Sequence, residues 1–196
     1  MIKVGITGGI GSGKSLVCEV FRTLGTNVYK ADEKAKILMD TDPLIKEKLM
    51  SKFGTEIYKN NKIDRRLFAS IIFEDTTAML FVNSIVHPAV AIDFHLWSSQ
   101  YSAEPYVLEE AALLYESGAY TGMDKMVTVY APEELRIKRA VLRDKSTVVQ
   151  IKQRMKNQLS DEEKMNRSDF VIYNDDKHSL IEQVLNLHHI FLSSNK

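Results

Sequence analysis

Apolar residues recur along this chain with two different periods. Ile2–Thr7 is an apolar, β-branched run that predicts a buried strand, and Leu16, Val17, Val20, Phe21 and Leu24 then fall on one face of a helix. Short runs of the first kind return at 27–29, 106–108, 125–130 and 170–173. Strands separated by helical stretches predict an α/β fold, a parallel sheet joined by crossover helices.

Two intervals interrupt that rhythm. From 31 to about 102 the chain holds one polar loop, 58–64, and otherwise reads as helices, with Ile71, Ile72, Met79, Leu80, Val82, Ile85 and Val86 on an apolar face around 75–77. The second interval, 132–166, is densely charged, and 178–192 reads as a closing amphipathic helix. The expected division is an α/β core of 1–30, 103–131 and 167–196, a helical insertion of 31–102, and a separate segment of 132–166. No repeat, low-complexity tract or flexible linker is visible.

The first strand runs into the chain's most informative stretch, where Gly8, Gly13, Lys14 and Ser15 match every fixed position of G-x-x-x-x-G-K-[ST]. Glycines let a backbone curl so that successive N–H groups point inward at phosphate oxygens. The helix beginning near Gly13 adds its positive end, Lys14 can reach the β- and γ-phosphates, and the Ser15 hydroxyl can ligate Mg²⁺. A glycine-rich strand-to-helix turn with no ligand is the alternative. A phosphate loop does not by itself separate a kinase from a molecular switch. Asn61, Lys62 and Asp64 spell the N-K-x-D of guanine readers, but they sit in the polar loop of the insertion, and the chain has no D-x-x-G. A solvated turn before a helix is the plainer reading there.

Charge distribution points toward phosphoryl transfer. Asp32 follows the short second strand, so it lies at the carboxyl edge of a parallel sheet, where it can accept the proton of an attacking hydroxyl. Capping a helix over 33–39 is its competing role. Arg136, Arg139 and Arg143 fall at i, i+3 and i+7, with Arg154 on the next helix, which suits either a charged surface or a phosphate-clamping lid. Over all 196 residues, 26 Lys+Arg balance 26 Asp+Glu, so the overall field gives no reason to expect nucleic acid or an anionic membrane as partner. The single cysteine, Cys18, cannot form an internal disulfide and fits a reducing cytosol. With no leader pattern and no apolar run approaching the ~18 residues of a membrane span, the expectation is a cytoplasmic protein. Whether it is a monomer or a weak homo-oligomer is not readable from sequence.

On these residues the chain resembles the dephospho-CoA kinases, which phosphorylate the ribose 3′-hydroxyl of dephospho-CoA. The resemblance spans essentially the whole chain. It is carried by 4–15, by Val28-Tyr29-Lys30-Ala31-Asp32, by Ile63-Asp64-Arg65-Arg66-Leu67 and by Ile71-Ile72-Phe73. It continues through Val86-His87-Pro88, Leu113-Leu114-Tyr115-Glu116, the R-x-x-x-R-D run at 139–144, Arg154 with Gln158, and 168–174.

The resemblance implies a P-loop nucleoside-triphosphate-hydrolase-like parallel sheet flanked by helices, with 31–102 as a helical acceptor domain and 132–166 as a helical lid. It implies ATP and Mg²⁺ as cofactors and dephospho-CoA as the other small-molecule substrate. Asp32 would be the general base, with Lys14 and Arg139 also catalytic. Gly9, Ile10, Gly11, Ser12, Gly13, Lys14, Ser15 and Leu16 would hold ATP, with Arg143 from the lid and Asn174 near the adenine, and Ser15 would ligate the metal. Asp32, Arg66, His87 and Glu116 would serve the acceptor, although His87-Pro88 also suits a plain capping turn at a helix entrance. Three positions depart from the family pattern. Lys30 stands where an aspartate is usual, Ala112 where a proline is usual, and Asp176 where a glycine commonly follows Asn174. One of Glu109 and Glu110 could orient the Mg²⁺ shell or simply cap a buried strand end. The alternatives are another P-loop small-molecule or nucleotide kinase and an ATP-dependent switch or assembly protein.

Overall fold

The computed structural model describes residues 1–194, apart from the side chains of Phe73 and Glu74, so Phe73 of the 71–73 motif has a side chain outside the described residues. The chain forms β1 (Ile2–Thr7), α1 (Lys14–Thr23), β2 (Val28–Lys30), α2 (Ala31–Thr41) and α3 (Pro43–Phe53). There follow β3 (Tyr58–Lys59), β4 (Lys62–Ile63), α4 (Arg65–Glu74), α5 (Thr76–Ser99) and β5 (Tyr106–Glu110). Next come β6 (Lys125–Tyr130), α6 (Glu133–Asp144), α7 (Val148–Met155), α8 (Asp161–Arg167), β7 (Phe170–Tyr173) and α9 (Leu180–Ser193). These elements divide into two compact units, Met1–Lys30 with Trp97 onward, and Ala31–Leu96.

In the first unit the strands form a five-stranded parallel sheet of order β2-β5-β1-β6-β7. β1 is flanked by β5 on one side and β6 on the other, so the chain order reverses there, and ligands of open α/β sheets bind outside the carboxyl ends of strands at such a point. Val4 and Ile6 of β1 pack with Val17, Cys18 and Phe21 of α1 and with Val184 and Phe191 of α9. Phe21 is fully buried, and its truncation to alanine would cost about 3–5 kcal/mol in a core of this kind. On the other face of β1, a Cβ at Gly5 would meet Met126 Sδ at 2.6 Å and Leu114 Cδ1 at 3.0 Å. Side chains of β6 and of the chain before it therefore pack directly on that face, and a larger residue at Gly5 would require them to shift.

β5 runs two residues past the apolar stretch 106–108, because Glu109 and Glu110 continue the ladder against Gly5 and Ile6. Both glutamates are buried, at 3% and 9% exposure. β2 runs to Lys30, one residue beyond the apolar pattern, by pairing with Glu110.

The second unit is helical with one hairpin. Asn60 and Asn61 take φ of 50° and 62°, the left-handed pair that a two-residue turn between β3 and β4 requires. Asp64 closes that turn by accepting Leu67 N at 3.1 Å as the cap of α4 and Lys59 Nζ at 2.7 Å, as expected of a solvated turn before a helix. Asp40 of α2 holds the hairpin from the other side, accepting Ile63 N at 2.9 Å and the Arg65 guanidinium at 2.7 Å. Ile45, Leu49, Ile57, Phe68, Val82, Val86 and Val90 supply its core.

Two expectations fail in this region. The apolar face around 75–77 is broken, since α4 ends at Glu74 and Asp75 caps α5 by accepting Thr77 N and Ala78 N at 2.8 and 3.1 Å. Pro88 lies inside α5, so His87 is a mid-helix residue and not part of a capping turn. α5, with 24 residues and mean hydropathy 1.4 over an 18-residue window, is long and apolar enough by length and composition to cross a membrane, a test that the core helix of a globular protein also passes. Asn83, His87 and Asp93 interrupt it, so no unbroken apolar run approaches the ~18 residues of a span.

Candidate active site

The phosphate loop leaves β1 at its carboxyl end and enters α1 through Gly13. Gly11 and Gly13 have φ of 77° and 95°, and each is crowded: a Cβ at Gly11 would collide with the Arg136 carbonyl, and one at Gly13 with the Asn174 amide. Glycine is required at both on two counts, backbone hand and space. No side chain caps the N-terminus of α1, so its first turn presents amide donors and the positive end of the helix dipole, a ready anion site.

The charged groups of the loop are buried and partnered. Lys14 is 9% exposed, and its ammonium donates to the carbonyls of Gly8 at 2.9 Å and Gly9 at 3.4 Å. The Ser15 hydroxyl donates to Glu110 Oε1 at 2.7 Å. Cys18, one turn further along α1, is fully buried; burial pushes its thiol well up, Glu110 adds to the effect, and Lys14 opposes it. That thiol stays protonated and unreactive.

Residues from 132 onward close around the loop. Gln158 Oε1 accepts Ile10 N at 2.9 Å, Arg136 Nη1 donates to Ile10 O at 3.4 Å, and Asn174 Nδ2 donates to Ser12 O at 2.8 Å. Arg136 is 5% exposed and pairs with Asp161, whose carboxyl is raised by burial while Arg136 draws it back down. Arg139 donates to Asn174 O at 2.9 Å and Asp176 Oδ1 at 2.7 Å. Arg143 is turned to its neighbour Asp144 at 2.7 Å, which Arg154 also reaches at 2.7 Å. Leu16 is 54% exposed on α1. Glu116 lies deep: its Oε1 accepts Leu159 N at 2.8 Å and the fully buried Lys164 ammonium at 2.9 Å.

In Ala31–Leu96 the predicted residues are arranged differently. α2 begins at Ala31, so Asp32 lies inside the first turn, exposed, and is not the helix cap that 33–39 would have given it. His87 of α5 is half-buried; burial lowers its pKa below the ordinary 6.5 and the Asp32 carboxylate opposes that shift, so the two side chains share one environment. Arg66, on the first turn of α4, is exposed and has no side-chain partner among the described residues.

Comparison with known proteins decides what this arrangement belongs to. The dephospho-CoA kinase family model matches residues 2–179. A dephospho-CoA kinase of Bacteroides fragilis is 45% identical over 186 residues, covering 95% of this chain and 91% of that protein. The chain belongs to the dephospho-CoA kinase family. It is an ATP-dependent kinase that phosphorylates the ribose 3′-hydroxyl of dephospho-CoA, releasing CoA and ADP. Among solved structures, TT1252 from Thermus thermophilus matches with a TM-score of 0.84 and 29% identity over 98% of both chains. The dephospho-CoA kinase from Campylobacter jejuni matches with a TM-score of 0.73 and 28% identity over 99% of this chain and 98% of that one.

Of the three positions read as departures from the family pattern, two have a local compensation. Lys30 pairs with Glu19 of α1 at 3.2 Å, so the cation has a carboxylate beside it. Ala112 accepts Lys164 Nζ at 2.9 Å through its main-chain carbonyl, which a proline also has, so the structure does not explain the alanine. Asp176 takes φ of 62°, a left-handed conformation that a glycine adopts freely and an aspartate tolerates, and its carboxylate gains Arg139 as partner. Sequence reasoning left Glu110 unresolved, offered Arg136 as a charged surface or a lid residue, named Gln158 without a role, and missed Asp161; at 5% exposure Arg136 is not a surface residue. A two-to-one choice between adjacent glutamates needs the strand register, and an Arg136–Asp161 pair separated by 25 positions has no local pattern to reveal it.

Proposed function

We propose that the phosphate loop holds the ATP donor, that Ser15 and Glu110 hold its Mg²⁺, and that Asp32 is the general base for the acceptor. The observation that carries the donor half is the 2.7 Å contact between Ser15 Oγ and Glu110 Oε1 at the first turn of α1. A hydroxyl and a carboxylate are the hard oxygen donors that Mg²⁺ takes, and Mg²⁺ at phosphate sites keeps several waters and uses only one or two protein groups. Consistent with that, no group of three or more His, Cys, Asp or Glu suited to a metal is found among the described residues. When bound, Mg²⁺ neutralises charge on the β- and γ-phosphate oxygens.

The remaining steps belong to side chains. Lys14 exchanges its two carbonyl partners for β/γ oxygens by rotation about its own stem, and the amides from Gly9 to Ser15 with Leu16 line the triphosphate. Arg139, anchored at the 174–176 turn, contributes fixed positive charge to the transfer, while Asn174 borders the adenine and Arg143 belongs to the lid. Arg66 and His87 serve the acceptor, and His87 stays neutral at neutral pH because burial lowers its pKa. Asp32 accepts the 3′-hydroxyl proton as that oxygen bonds to the γ-phosphorus, and the bond from phosphorus to the ADP oxygen breaks in line. Glu116 acts at a distance from the reacting atoms, through Lys164 and Leu159. Balanced charge favours small-molecule partners and a cytoplasmic setting over nucleic acid or membrane.

ADP release assayed with dephospho-CoA, its 3′-deoxy analogue and a panel of nucleosides tests this reading. Turnover with dephospho-CoA and none above background with the 3′-deoxy analogue is expected. Equal turnover of the analogue, or a preferred acceptor elsewhere in the panel, would overturn it.

A further inference from the structure

Between Gly8 and Gly13 the phosphate loop has one internal backbone hydrogen bond, Ser12 N to Gly9 O at 3.1 Å, and Lys14 Nζ adds its contacts to the Gly8 and Gly9 carbonyls. None of these holds Ile10, whose restraints come from a distant stretch of chain. Ile10 has both backbone groups taken by side chains of that stretch, its N–H by Gln158 and its carbonyl by Arg136. Arg136 also fills the space beside Gly9 and Gly11: a Cβ on Gly9 would strike its guanidinium, and one on Gly11 its carbonyl.

Arg136 and Gln158 are in turn fixed from behind. Arg136 is held by Asp161 on α8. The turn bearing Gln158 is pinned one residue later, where Leu159 N donates to Glu116, and Lys164 ties Glu116 to the Ala112 carbonyl beyond β5. A ring of contacts therefore runs from the end of β5 through Glu116, Lys164 and the 158–161 turn to the loop.

From this geometry we propose that Arg136 and Gln158 are positioning residues of the phosphate loop, holding 9–11 in its cradle before the nucleotide arrives. A glycine-rich loop loses much conformational freedom when it closes on a ligand, and restraint in advance lowers that cost and raises affinity. The guanidinium geometry matters, because one ammonium cannot span Asp161 and the Ile10 carbonyl as a planar fork does. The proposal rests on the reading that this loop binds ATP.

The test compares Gln158→Ala, Arg136→Lys, Asp161→Asn and the Arg136→Lys/Asp161→Asn pair with the wild type, by equilibrium ATP titration and steady-state kinetics. Loss of the Ile10 acceptor in Gln158→Ala is expected to weaken ATP binding and raise its KM by about 3–10-fold, with the dephospho-CoA KM within about twofold. Arg136→Lys should do the same, and adding Asp161→Asn should weaken ATP little further, since both act through one contact. A general loss of structure would shift both substrates together and lower Tm. Gln158 is half-buried, so Gln158→Ala decides alone if Arg136→Lys does not fold. An ATP Kd and KM unchanged in folded Gln158→Ala overturns the proposal. Lys14→Ala separates the two failures: if it also leaves ATP binding unchanged, the loop is not the ATP site, and if it abolishes binding while Gln158→Ala does not, only the positioning roles fall.

Discussion

Around the phosphate loop the charged side chains are buried and already engaged, Lys14 by two carbonyls and Arg136 by Asp161, while Ser15 contacts Glu110. In Ala31–Leu96 the candidate residues Asp32 and Arg66 are exposed, and Arg66 has no side-chain partner among the described residues. Preorganised groups lose little freedom when a ligand arrives, whereas exposed, rotamer-rich side chains must be ordered by it. If the proposed roles hold, the donor site is expected to tolerate no loss of a single group, and the proposed acceptor residues to act one by one, each through the acceptor's own KM or the rate of transfer.

Lys14→Ala would strike the engaged side hardest. A fall in kcat/KM for ATP of about 10²–10³, with affinity and rate both damaged, is the size expected for removing one preorganised electrostatic contact. A value within threefold would show the donor site is not built as described. Glu110→Gln removes the charge beside Ser15 and should raise the Mg²⁺ concentration needed for half-maximal rate by about 10–100-fold, measured by metal titration at saturating ATP. An unchanged requirement would detach Glu110 from the metal. Arg66→Ala tests the exposed side and should raise the dephospho-CoA KM by about 10-fold while leaving ATP KM and Tm alone. A matching rise in ATP KM would erase the contrast.

The smallest effect is one of stability. Arg143 first, then Arg154, hold the Asp144 carboxyl at about 2, below its ordinary 3.8. A depressed carboxyl stabilises the fold above its unfolded pKa and loses that contribution as pH falls through the folded value. Asp144→Asn should thus lower stability at neutral pH by under about 1 kcal/mol after solvent screening. The Tm gap from wild type should close as pH falls from about 4 to 2. A gap that persists at the acid end would mean the pair is not its source.

Much of the sheet was legible because buried parallel strands are apolar from end to end and the phosphate loop has fixed spacing with a mechanism for each position. Legibility failed where polar residues do structural work. Glu109 and Glu110 extend β5 past its apolar run, because the carboxyl edge of a functional sheet carries the chemistry that hides it. Asp75 ends one helix and caps the next within what reads as one apolar face, and Pro88 sits inside a helix long enough to absorb it. Lys14 and Ser15 of the loop are marked by their motif, and Asp32, proposed as the base, by its position after β2. Arg136, Gln158 and Asp161 do not, since their meeting point with Ile10 depends on contacts spanning up to 148 positions.

The division between a ready donor site and a separate general base is tested most directly in Asp32→Asn by rapid-quench single turnover with ATP and dephospho-CoA, alongside an ATP titration of the same protein. The expected result is an ATP Kd within about twofold of wild type and phosphoryl transfer slowed by about 10² or more. Transfer within threefold of wild type would remove Asp32 from the base role, and a comparable loss of ATP affinity would contradict the separation itself.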